Sequence, residues 1–202
     1  MKKVLTVIMV FQIAVSAISA QKTITLHTPA DSVLDVSVFE ARAIDTRILG
    51  EWKRNGKNEY LIFESNHHMW FGTKDVPYVL QNAGNTLVIN SISTYQRIGP
   101  STASIVGHWR DDSGGEEIIY RADGRQVSLD DGEKVGYFGT YSVSAGTLSG
   151  FDYRSQFNTD SGNLVQYMHK TFLITTTPYT FTNGDMTLTI GSVGSAVVYT
   201  KQ

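Results

Sequence analysis

One segment occurs twice in this chain, and that repetition constrains the fold more than any other feature. "ILGEWKRN" begins at Ile48 and "IVGHWRDD" at Ile105, fifty-seven positions later. Both read Ile, apolar residue, Gly, any residue, Trp, cation. A second pair of segments repeats further on: "YVLQNAGNTLVINS" from Tyr78 aligns without gaps to "YTFTNGDMTLTIGS" from Tyr179, an offset of 101. Each copy then runs to a Tyr and a cation, Tyr95 with Arg97 and Tyr199 with Lys201. Heads offset by 57 and tails by 101 leave 44 extra residues in the second copy, mostly from Gly136 to Thr177. Self-similarity of this kind marks repeated supersecondary units. The chain divides into a short module, 48–99, and a full-length one, 104–202.

The residue types suggest what a head and a tail do for each other. Gly has no Cβ and admits a close neighbour. A Trp two residues later on a strand points to the same side. If the last strand of a closed sheet lies beside the first, a cation near its end can cover the indole face, a contact contributing about 0.5–2 kcal/mol. Within each module this predicts Trp52 paired with Arg97 and Trp109 with Lys201. Gly50, Trp52, Arg97, Gly107, Trp109 and Lys201 are therefore expected to be structural closure residues.

Between heads and tails the chain reads as strands. "EYLIFES" alternates, with Tyr60, Ile62 and Glu64 on one face and Leu61, Phe63 and Ser65 on the other. "EEIIYRADGRQVSL" is a strand, an Asp123-Gly124 turn and a second strand, a hairpin because Gly accepts positive φ. "TYSVSAGTLSGFDY" and "YTFTNGDMTLTI" repeat that design at Ala145-Gly146 and Asn183-Gly184. Strand and turn signals recur from Leu49 to Lys201, the pattern of an all-β barrel or sandwich. "VLDVSVFEARAI", residues 33–44, reads as a helix or equally as a strand and linker.

The first twenty residues have the layout of a secretory signal peptide. Lys2 and Lys3 precede the apolar run "VLTVIMVFQIAV", and "SAISA" supplies small residues for cleavage after Ala20. The run is too short to span a bilayer. Residues 21–47 are then an N-terminal strand or linker, and the mature chain is expected to be exported, periplasmic or secreted, with no transmembrane segment. Removal of Lys2 and Lys3 leaves 15 of the 17 Lys and Arg beside all 19 Asp and Glu, a formal charge of −4. So mild a charge points to neither nucleic acid nor an anionic membrane as partner. With no cysteine there are no disulfides, thiolate metal sites or thiol nucleophiles.

Gly-x-Trp on a first strand with Arg or Lys on the last resembles the calycin superfamily, and in particular short bacterial lipocalin-like domains. "IVGHWR", "IIYRADGR", "GTYSVSAGTLSG" and "MTLTI…VVYTK" follow that layout in order through the second module. The resemblance implies an up-and-down antiparallel β-barrel with an apolar interior, and no shared catalytic residues. The short module holds five or six strands, too few for a barrel with room for a ligand. It is expected either to form a smaller β-sheet packed on the barrel or to join it in one larger sheet.

Motifs for chemistry are sparse. His67 and His68 are adjacent, and neighbours on a strand face opposite ways. With His27, His108 and His169 scattered, the expectation is polar residues at a bend and no metal site. Asp130, Asp131 and Glu133 lack the alternating ligands of a cation loop and read as a solvated turn, as do Asp111 and Asp112. No nucleophile elbow, zinc-binding helix or phosphate loop is present. Carboxylates such as Glu64, Glu117 and Asp152 are left without an assigned pairing. No cofactor is called for, and enzyme activity is left open, leaning against.

Aromatic residues crowd the segment found in only one copy. Tyr137, Tyr141, Tyr153, Arg154, Tyr167 and Phe172 are the candidate ligand-binding residues, with Arg154 or Arg121 as anchors for an acidic group. Pockets are mostly apolar with a few orienting polar groups, while such aromatics also serve as core. The sequence thus points to an exported, monomeric lipocalin-like protein binding a small apolar or amphipathic molecule. The alternatives are a protein-interaction or inhibitor module with a filled barrel, and an enzyme using the barrel mouth.

Overall fold

The computed structural model describes residues 44–113, 115–130, 136–168 and 173–202. Residues 1–20, expected to be a signal peptide, lie outside the described residues, as do residues 21–43, Asp131, Glu133, His169 and Phe172. The first repeat supplies β1 (Gly50–Arg54), β2 (Tyr60–Phe63), β3 (His68–Gln81), β4 (Thr86–Ile89) and β5 (Ser93–Ile98). The second opens with β6 (Gly107–Asp111), β7 (Glu116–Tyr120), β8 (Arg125–Asp130) and β9 (Tyr137–Ser144). It continues with β10 (Thr147–Asp160), β11 (Asn163–Met168), β12 (Ile174–Thr182), β13 (Thr187–Ile190) and β14 (Val197–Lys201). The expected hairpins form where turn residues adopt positive φ, Ala145 at 47° and Asn183 at 55° among them.

All fourteen strands belong to one antiparallel sheet in which each strand pairs with the next and β14 returns to β1. Of the two arrangements open from sequence, the joined one is therefore found, and the described residues form no separate small sheet. An additional ladder joins β3 to β10 across the ring. These two strands are the longest, 14 residues each. The first half of β3 pairs with β2 and its second half with β4. The first half of β10 pairs with β9 and its second half with β11. The cross-ladder divides the ring into two circuits of eight strands. Circuit A contains β1, β2, β3, β10, β11, β12, β13 and β14, while circuit B contains β3 through β10.

Close approach of the shared strands depends on a residue without a side chain. A Cβ at Gly72 would lie 2.0 Å from the carbonyl oxygen of Gly150, so only glycine fits there. Two register shifts bend the ladder, one opposite Ser149 where β3 carries both Lys74 and Asp75, the other where β10 carries the extra residue Arg154. Asp75 has φ 51°, the local distortion a bulge requires.

Each circuit encloses its own core. Trp52, Leu61, Phe63, Met69, Phe157 and Leu188 belong to the first. Leu87, Tyr95, Trp109, Ile118, Tyr120 and Leu148 belong to the second. The two Trp rings are fully buried, at 0% exposure. Burial of side chains this size contributes roughly 1.5–3 kcal/mol apiece.

Candidate functional site

The repeated head and tail do meet, but across the repeats. Trp52 pairs with Lys201 in the β1–β14 ladder, and Trp109 pairs with Arg97 in the β5–β6 ladder. The Lys201 Nζ lies 5.1 Å from the Trp52 ring centre, and the Arg97 guanidinium carbon 4.0 Å from that of Trp109. The pairs Trp52–Arg97 and Trp109–Lys201, expected from closure within each module, are therefore corrected: the tails are exchanged. The reason is that β5 runs directly into β6, so the first tail closes on the second head. The last strand is left to close on the first.

Around this exchange the two seams use the same backbone positions. Trp52 Nε1 donates to the Ile48 carbonyl at 2.6 Å, and Trp109 Nε1 to the Ile105 carbonyl at 2.7 Å. Lys201 Nζ donates to the Arg47 carbonyl at 3.2 Å. Arg97 donates to the matching Ser104 carbonyl at 2.5 Å, and also to Gly84, Val106 and Thr102. A Cβ at Gly107 would fall 2.2 Å from Arg97 Nη1, whereas one at Gly50 would only touch Lys201 Cε at 3.6 Å. The glycine of the motif thus makes room for the cation of the tail, not for another backbone. Each cation thus reaches across a ladder to cover the indole on the neighbouring strand.

A second constellation lies where the circuits share strands. Partners across a ladder share a face, so Phe71 and Asp152, which pair, lie together. Phe71 packs against the first core. The Arg154 guanidinium carbon sits 5.1 Å from the Phe71 ring centre and 4.1 Å from that of Tyr137. Arg154 Nη2 is 3.7 Å from Asp152, a long ion pair. Asp152 instead accepts from Gln126 Nε2 at 2.9 Å. Gln126 in turn is the cross-strand neighbour of Tyr120 in the second core. On the other flank, Gln166 Nε2 donates to Ser155 Oγ at 3.2 Å and contacts Met69 Sδ at 3.1 Å. Polar side chains thus form a layer connecting the two apolar cores, with Arg154 its cation, 26% exposed at the side chain.

Of the candidate ligand-binding residues, the structure brings Tyr137 and Arg154 together. Tyr153 pairs with Trp70 and lies on the opposite face, against Trp70, Phe138 and His68, where burial pushes its phenol well up. Tyr141 belongs to the edge of the second core, stacked edge-on against Tyr120, and its hydroxyl donates to the Arg121 carbonyl at 2.6 Å. Tyr167 is buried on β11, opposite Gln156 in the ladder. Phe71, Gln126, Gln166 and Ser155 were not singled out from sequence. The Gly72 that follows Phe71, and the run of polar residues at Arg154–Gln156 between Tyr153 and Phe157, are the signals that mark the place.

The described histidines make contacts within the sheet. His67 occupies the β2–β3 turn with φ 66°, and its Nδ1 is 3.0 Å from the Phe157 carbonyl. His108 and Arg110 both bond Glu117, at 2.7 and 2.6 Å, across β6 and β7. Asp111 accepts from Ser113 and from the Gly115 amide, which folds its loop. Among the described residues no cluster of three or more His, Asp or Glu has metal-binding geometry. No helix among them is long and apolar enough to cross a membrane. Comparison with protein-family models, with curated proteins and with solved structures finds no match.

Proposed function

We propose that the protein is an exported, lipocalin-like binding protein, its ring drawn into two eight-stranded barrels, that holds a small amphipathic molecule at the polar layer between its cores. The observation that carries this reading is the layer itself. A partly exposed cation stands against two aromatic rings where two apolar cores meet, the combination of apolar lining and few polar groups that small-molecule sites use. The fully buried Trp52 and Trp109 favour a second reading, in which both barrels are filled and the protein acts through its surface on another macromolecule. Titration with a neutral naphthylamine fluorophore separates the two. The binding reading expects a saturable rise in emission with one site per chain, weakened by Tyr137→Ala. A linear, unsaturable response overturns it and leaves the surface reading.

A further inference from the structure

Arg154 has an N–H group that is buried and unanswered. Among the described residues only two side-chain nitrogens are buried without a hydrogen-bond partner, Trp70 Nε1 and Arg154 Nε. Trp70 neighbours Met69 on the strand, so its ring lies on the face away from the first core. Arg154 stands on the core face, in the polar layer. Buried donors are nearly always satisfied, and an exception points to a missing acceptor. The guanidinium carbon lies over Tyr137 and Phe71, which engage its π face. Its N–H groups point outward in the plane. Asp152, at 3.7 Å from Nη2, is too far to accept a hydrogen bond and is already held by Gln126.

We propose that the ligand carries a carboxylate, which Arg154 binds side-on through Nε and the adjacent Nη while the ligand's apolar body lies against Phe71 and Tyr137. A planar two-oxygen acceptor matches two parallel N–H donors, a fit that a neutral ester or alcohol lacks. The extra residue in the ladder matters here: Asp152 and Ser155 pair with Phe71 and Met69 on the core face, so the bulge sets Arg154 and Ser155 side by side on that face. This inference rests on the binding reading above and names the chemistry its site selects.

The test is displacement of the naphthylamine fluorophore by dodecanoate and by methyl dodecanoate. The acid is expected to compete about tenfold to a hundredfold better than the ester, the range for a charge-assisted hydrogen bond. In Arg154→Met that preference disappears, acid and ester competing equally when each is measured against that variant's own fluorophore affinity. Arg154→Lys, which keeps the charge but not the fork, loses most of it. Equal displacement by acid and ester overturns the inference and leaves the binding reading standing. Absence of fluorophore binding overturns both. Preference for the acid that survives in Arg154→Met assigns the carboxylate to another group and also overturns the inference. Should that variant not fold, the acid–ester comparison in the natural protein and in Arg154→Lys still decides.

Discussion

The seam that closes circuit B is built far more firmly than the one that closes circuit A. Arg97 covers Trp109 and bonds four carbonyls, from Gly84, Thr102, Ser104 and Val106. Burial holds its guanidinium below its usual pKa, the mark of a charge that has given up water. Lys201 covers Trp52 at a longer distance and bonds one carbonyl. Circuit A compensates with a carboxylate where circuit B has the hydroxyl of Thr102. Asp45 caps the short 3₁₀ turn Thr46–Ile48, pairs with Arg47 at 2.7 Å, and accepts from the Tyr179 hydroxyl at 3.0 Å. One motif therefore admits two solutions: a single forked cation serving many carbonyls, or a point charge helped by a neighbouring carboxylate.

Substitutions can break this comparison. Trp52→Ala and Trp109→Ala should each destabilise by about 3–5 kcal/mol in denaturant unfolding, since each ring is wholly buried. If either costs less than about 1 kcal/mol, the two rings are not equivalent plugs. Gly72→Ala tests the ladder that both circuits share. Its Cβ would strike the Gly150 carbonyl, so about 1–3 kcal/mol of strain is expected, and a neutral result would show that the shared strands can separate cheaply.

The seam cations come next in size. Arg97→Met should cost about 1.5–3 kcal/mol, from charged hydrogen bonds in a partly dry site. Lys201→Met should cost about 0.5–1 kcal/mol, the value of an exposed cation–π contact. Equal costs would erase the asymmetry. The exchange of tails can be tested in the same series by double-mutant cycles. Trp52 should couple to Lys201 and Trp109 to Arg97, by about 0.5–1 kcal/mol, and the crossed pairs should add independently.

Smallest is a pH effect confined to circuit A. Hydrogen bonding to Arg47 lowers the Asp45 carboxyl below its ordinary value, with the Tyr179 contact adding to it. A depressed carboxylate contributes stability above its unfolded pKa and loses it as pH falls through the folded value. Burial and the same contact push the Tyr179 phenol up to about 12. Its contribution is whole below the ordinary phenol value near 10 and is lost as pH rises through about 12. Asp45→Asn should flatten the acid limb by well under 1 kcal/mol, because the pair is largely solvated. Unfolding monitored across acid pH in the two forms measures it.

Much of the β architecture was legible. Alternation and the Asp123-Gly124, Ala145-Gly146 and Asn183-Gly184 turns placed strands well, because those turns are decided by a few local residues. The heads and tails identified the closing residues for the same reason. What escaped was which tail meets which head. Both pairings satisfy the same local chemistry, so composition cannot separate them, and only the direct run of β5 into β6 does. The long β3 was also hidden. Asp75 and Pro77 look like breakers, yet a bulge absorbs the first, and Pro77 stands beyond the stretch paired to β2. At the candidate site, Tyr137 and Arg154 were visible as an aromatic and a cation in the unrepeated segment. Phe71 was not, since it comes from the other repeat and reaches Arg154 only through the cross-ladder.

The exchanged tails also set a timetable for folding. Circuit B can close once β10 has been made, because the β3–β10 ladder completes it and its seam joins consecutive strands. Circuit A must hold β1 open until β14 arrives, with Arg47 and Lys201 separated by 154 positions. Contacts so distant in sequence are slow to form and leave strand edges unprotected meanwhile. The first strand therefore depends, for its last ladder, on residues synthesised about 150 positions after it. A chain halted before β14 would carry one closed circuit and two open edges, at β1 and β13.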